Sequence, residues 1–253
     1  MPETLQRTRT VFRRELAGYF TTPVAAIVLV TYLVLGGVLT FNVGALGAPL
    51  FESGRASLDP FFFWQPWLLL LLVPAAAMRS WADEHRLGTT ELLYTLPVRT
   101  RELITGKFFA AWAFCVFALV LTVPVWVTVS VLGDPDHGVI AAAYFGTALM
   151  AGSLLAVATC ISATTRSPVA AFVLSCAAGI ALMLLGLPPV QRLLQAALPD
   201  AAARAVGELS LLSHFADTTA RGVLSLPDLL FHASVIAVFL ALTAAVLAHQ
   251  RRR

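Results

Sequence analysis

Nine Asp, Glu, Lys and Arg residues crowd into the 29 residues from Arg79 to Lys107, RSWADEHRLGTTELLYTLPVRTRELITGK, between two long stretches that carry no charge. This is where the chain meets water, and the residue types suit contact with a soluble partner better than bond-making. Gly106-Lys107 has the ending of a phosphate loop, but Arg101 stands where its first glycine belongs and Phe108 where its Ser or Thr belongs. The apolar stretches hold no HExxH, GxSxG or paired-carboxylate arrangement, which disfavours an enzyme built within them. Cys115, Cys160 and Cys176 are scattered through the same stretches and read as small buried residues, with neither disulfide nor metal spacing.

The elements that must position this segment follow from composition. The 253-residue chain is 58% hydrophobic and 12% charged, with a mean hydropathy of +0.82, the profile of a polytopic membrane protein. Charge-free runs occupy 16–51, 60–78, 108–133, 137–165, 167–191 and 229–250. A helix needs about 20 apolar residues to cross a bilayer. The runs predict an all-α protein with six spans near 24–46, 60–78, 108–132, 140–163, 168–187 and 229–248, and they lack the alternation of a membrane barrel. Thr22-Pro23, Asp59-Pro60 and Ser167-Pro168 each offer a capping side chain followed by a proline at the first helical position.

Six spans put both termini on one side. That side collects thirteen of the seventeen basic residues, leaving Arg55, Arg192, Arg204 and Arg221 opposite, so the positive-inside rule makes both termini and the 79–107 segment cytoplasmic. The net charge of +3 reflects this orientation, and no nucleic-acid partner is expected. The first 22 residues hold an amphipathic stretch, Val11, Phe12, Leu16, Tyr19 and Phe20, read either as a helix on the inner membrane surface or as a plain lead-in to the first span. A cleaved signal peptide is not expected.

No predicted span contains Asp, Glu, Lys or Arg, whereas ion-coupled carriers place ionisable groups at mid-membrane. His232 and His249 read as interfacial histidines. Any work the protein does would draw its energy from a partner. Within the polar segment, the stretch 87–97 reads as a short helix with a glycine break at Gly88 before it and a proline stop at Pro97 after it. Leu92, Leu93 and Leu96 supply an apolar face suited to a partner's groove, and a second helix from about Thr100 leads into span three. The plain alternative is a solvated loop with a surface helix.

The run MRSWADEHRLGTTELLYTLPVRTRELITGKF resembles the first cytoplasmic loop of type-2 ABC transporter permeases, with its Gly-Thr-x-Glu-x-Leu motif, Pro-Val pair and Gly-Lys ending. It looks nearest to the gliding-motility-associated (GldF-like) branch, with NosY-type permeases as neighbours. The likeness reaches upstream to residues 56–62 and downstream to Arg221-Gly222-Val223, and is most specific over 84–107. It implies a single transmembrane domain spanning 1–253 in a bacterial inner membrane, paired with a second permease copy or a sister permease. The partner would be an ATP-binding cassette subunit that carries the ATP and magnesium, so this chain binds no cofactor and is not itself a catalyst. Glu84, Gly88, Thr89, Glu91, Leu92 and Leu93 match the coupling region, and Leu96 completes the same helix face. A large extracytoplasmic accessory subunit is a further expectation of that branch.

The 188–228 region reads as an outer helical loop with stripes Val190/Leu193/Leu194/Ala197 and Leu209/Leu212/Phe215/Thr219, and Gly222 to end its second helix. It is either a re-entrant cap on a pathway or an interfacial hairpin. Small residues recur every four positions at Ala233/Ala237/Ala241/Ala245, Ala148/Gly152/Ala156/Cys160 and Ala171/Ser175/Gly179, where helices could approach closely. Pro66, Pro74 and Pro124 suggest kinks. Trp64, Trp67, Trp81 and Trp112 suggest aromatic belts. Asn42 and Gln65 are the polar candidates for lining a pathway, or else bonds between helices. The rival readings are an ATP-independent carrier and a membrane scaffold.

Overall fold

The computed structural model describes residues 3–43, 50–51, 56–88, 99–222 and 225–251. Among them there are helices and turns and no strand. The helices are α1 (Glu3–Thr21), α2 (Pro23–Val38, extended by a π turn over Leu39–Val43), α3 (Asp59–Ala77), α4 (Ala82–Leu87) and α5 (Thr100–Val120). They continue with α6 (Val123–Leu132), α7 (His137–Thr164), α8 (Pro168–Leu184), α9 (Pro188–Ala197), α10 (Asp200–Gly207), α11 (Leu211–Arg221) and α12 (Leu226–Gln250). Among the described residues five segments are long and apolar enough to cross a membrane, and α8 with α9, bent by 83°, forms either a broken sixth span or a re-entrant loop.

Prolines in the first turns start α2, α3, α8 and α12. Ser167 caps α8 by accepting from Ala170 N–H, and Asp136 caps α7 by accepting from Gly138 and Val139. Thr22 does not cap: its hydroxyl donates back to Gly18 O at 2.9 Å. Asp59 is the first residue of α3, one place past the cap position, which Leu58 holds. The expected kinks sort themselves. α3 runs on through Pro66 and Pro74, while Pro124 follows a break at Leu121–Thr122.

α7 is the hub, packed against α3, α5, α8, α11 and α12. Its Ala, Gly and Ser content lets those neighbours come close: a Cβ on Gly152 would meet the Trp112 ring at 3.2 Å. Of the three small-residue stripes, Ala171/Ser175/Gly179 is buried, whereas Ala233, Ala237, Ala241 and Ala245 all stand exposed on α12. Trp81 is no belt residue, being 2% exposed, and Trp112 donates to Ala148 O within the bundle.

α1 is the expected N-terminal helix, and part of its surface is covered by protein. Residues 8–20 run alongside 106–117 of α5 in the same direction: Val11 meets Gly106, Tyr19 stacks on Phe114, and Phe20 touches Phe117. At the opposite end of the bundle, His214 Nδ1 lies 2.7 Å from Asp228 Oδ1, which ties α11 to α12. Leu211 and Phe215, rather than the expected Leu209, fill the core there; Leu209 is exposed.

Candidate functional site

The polar segment is rooted in a cluster around Lys107. Its side chain is 4% exposed, and its ammonium lies 2.8 Å from Glu84 Oε1 on α4 and 3.3 Å from Glu15 Oε2 on α1. It donates to Ser80 O at 3.1 Å and sits 5.3 Å from the centre of the Trp81 ring. An ammonium has three N–H donors and no acceptor, so these three oxygens use its capacity in full. One charge thereby binds α1, α4 and α5 together.

Local sequence puts Lys107 there. α5 starts where Arg99 N–H donates to the Glu102 carboxylate at 3.1 Å, in capping-box fashion. Gly106 then admits α1, since a Cβ at this position would stand 2.8 Å from Val11 Cγ1 and 3.2 Å from Thr8 O. Burial pushes the Glu15 carboxyl up, but Lys107 and Arg14 outweigh it and hold the group below the usual range.

α4 is anchored from α7. Ser162 Oγ accepts from Trp81 N–H and Ala82 N–H, both at 3.2 Å, and donates to Met78 O at 3.2 Å. The first N–H groups of a helix have no partner within it, and here a side chain from another element supplies one. Ser162→Ala should therefore strand two buried donors and cost about 1–3 kcal/mol. The thermal midpoint of the detergent-solubilised protein would show it, and a midpoint equal to wild type would refute the anchor. Gly88, at φ +69°, ends α4 in the left-handed region that glycine adopts without strain. Asp83 joins Arg79 at 2.7 Å and Arg86 at 2.9 Å, but both arginines are half exposed and such pairs contribute little. A cleft of about 340 Å³ opens beside the cluster, lined by Tyr19, Val24, Val28, Phe114, Arg79 and Asp83 among others.

Of the residues the sequence singled out, Glu84 lies within the cluster and Gly88 at its edge. Thr89, Glu91, Leu92, Leu93 and Leu96 lie outside the described residues. Asn42 is exposed, its amide donating back to Val38 O. Gln65 is fully buried and accepts from Tyr32 OH at 2.8 Å, a bond between α3 and α2. Neither lines this cleft or the larger cavity at the far end of the bundle. Sequence reasoning missed Glu15, Ser162 and the part played by Lys107. One signal was available: Lys107 is the chain's single lysine among sixteen arginines. A compact ammonium suits three converging oxygens where a planar guanidinium does not.

The family described as ABC-2 family transporter protein matches residues 68–251, a stretch that takes in Glu84, Lys107 and Ser162. The chain belongs to this family. It is an ABC-2 membrane protein, all-helical and multi-pass, as the resemblance of the 79–107 segment implied. No curated protein matches it. Membership makes the ABC-2 chain a permease component of an ABC transporter, with an ATP-binding cassette subunit and the bilayer as its partners.

Proposed function

We propose that the chain moves substrate across a bacterial inner membrane using ATP hydrolysed, with magnesium, in a separate subunit, and that it does no catalysis itself. In this reading the six spans place both termini in the cytoplasm, and the 79–107 segment docks the ATPase through Glu84, Gly88, Thr89, Glu91, Leu92, Leu93 and Leu96. A second copy or a sister permease completes the pair. The nearest branch is the GldF-like and NosY-type one, with a large extracytoplasmic subunit as a further companion. The observation that carries the reading is the Lys107 cluster. It fastens the root of the docking segment to α1 and α5, so a push on α4 is delivered to the bundle rather than absorbed by a loop.

The test is affinity purification of the tagged chain from its native membrane, with wild type beside Glu91→Lys and Leu92→Asp. Wild type should bring down an ATP-binding subunit, and both variants should lose it while still reaching the membrane. Absence of any ATPase with wild type, even after crosslinking in mild detergent, would sink the proposal.

A further inference from the structure

At the end of the bundle away from Lys107, the first turns of α3 and α7 and the apolar side of α11 enclose a cavity of about 830 Å³. That is within the roughly 300–1,000 Å³ of small-molecule sites. Phe62, Pro66, Ile140, Ala143, Leu212 and Phe215 supply apolar walls. Phe63 and Trp67, also in the lining, are 43% and 39% exposed on the outside of α3, so the cavity borders an apolar outer face of a helix long enough to cross a membrane.

Its charge is one-sided. Among the described residues of the lining, Asp59 and Asp136 are the charged ones, and these residues include no Lys, Arg or His. Each carboxylate is half used: Asp59 Oδ2 accepts from Ser57 Oγ at 2.9 Å, and Asp136 Oδ1 holds Gly138 and Val139 N–H. The second oxygen of each remains available. An apolar hollow beside lipid takes an alkyl chain, and two carboxylates with spare oxygens attract a cation and repel an anion.

We propose that this cavity binds an amphiphile made of an alkyl chain and a protonated primary amine, the chain between α3, α7 and α11 and the ammonium against Asp59 and Asp136. The amine has two possible sources, an aminophospholipid of the bilayer or a free long-chain amine. The site needs no ATPase, so its fate is separate from that of the transport reading.

The experiment uses the full chain in phosphatidylglycerol nanodiscs. Three probes bear the same photoreactive alkyl chain: hexadecylamine, hexadecanol and phosphatidylethanolamine. After irradiation, mass spectrometry locates adducts. Hexadecylamine should label the peptides of Phe62, Ile140 and Leu212 above hexadecanol. Asp59→Asn with Asp136→Asn should cut that labelling about fivefold to tenfold, the loss of a charge-assisted bond, and leave hexadecanol labelling unchanged. Asparagine at 136 still caps α7, and asparagine at 59 keeps an oxygen to accept from Ser57, so the fold is expected to persist, and an unchanged thermal midpoint checks this. Equal labelling by hexadecylamine and hexadecanol, or labelling indifferent to the double substitution, would overturn the proposal. Given the expected result, adducts from phosphatidylethanolamine at the same peptides assign the site to bilayer lipid, and their absence assigns it to a free amine.

Discussion

Lys107→Met is expected to destabilise the folded chain by about 3 kcal/mol, the lower end of the range for breaking a buried ion pair. The substitution keeps the alkyl stem and removes the charge. Glu84 and Glu15 would then face each other at side-chain exposures of 16% and 23%, too buried to be fully hydrated, with no cation between them. Their partial exposure places the cost at the lower end. Most of the penalty comes from the stranded carboxylates, so Glu15→Gln and Glu84→Gln in the same chain should recover a large part of it. Thermal unfolding of the detergent-solubilised single and triple variants measures both effects. A Lys107→Met protein as stable as wild type, or a triple variant no better than the single, would show that the cluster does not hold the three helices together.

The second large effect belongs to Gly106. An alanine there places a methyl 2.8 Å from Val11 Cγ1 and 2.9 Å from Val11 Cβ, with Thr8 O at 3.2 Å. Valine is stiff at its first torsion, and a backbone oxygen cannot turn aside. α1 must therefore move off α5 as a rod, at a cost of about 1–3 kcal/mol for an overpacked contact. That displacement pulls Glu15 from Lys107 and Tyr19 from Phe114. Hydrogen exchange should rise along residues 3–21 and stay as in wild type across 137–164. Adding Val11→Ala makes room for the methyl and should restore part of the protection. Unchanged exchange in Gly106→Ala would mean that α1 and α5 are not held at this contact.

What the sequence made legible was what its local pattern encodes. Run lengths revealed the apolar helices, because crossing a bilayer sets a minimum length that chance rarely meets in a charged chain. Ser167 was readable as a cap because its bond closes within three residues. The break after span five was readable, since that span ends near 187 and a separate helical stripe starts at Val190, but the 83° turn between α8 and α9 was not. Ser210 helps fix it: its hydroxyl donates to Met183 O at 3.1 Å, and its Cβ lies 2.8 Å from where a side chain at Gly186 would begin. The cluster divides the same way. Glu84 and Gly88 stand in a local motif, whereas Glu15 and Ser162 join them by long-range packing that leaves no periodicity behind. The contact of α1 with α5 was hidden for a related reason. An amphipathic stripe says that one face is apolar, not whether lipid or protein covers it.

The position of Tyr19 bears on how such a bundle can change shape. Its ring lies on Phe114 of α5 with centroids 4.9 Å apart, while its hydroxyl donates to Ala76 O of α3 at 2.8 Å. With Glu15 held by Lys107 one turn earlier, the first helix works as a strut across the ends of two long helices. Spreading them there must break α1 from one or the other, at the ion pair with Lys107 or at the hydrogen bond to Ala76 O. Toward the other end, α3 meets its neighbours through aromatic packing such as Phe61 and Phe62 on Tyr144, which can slide at lower cost. The strut thus braces α3 and α5 at the end where α5 begins, a polar lock that the aromatic packing at the other end lacks.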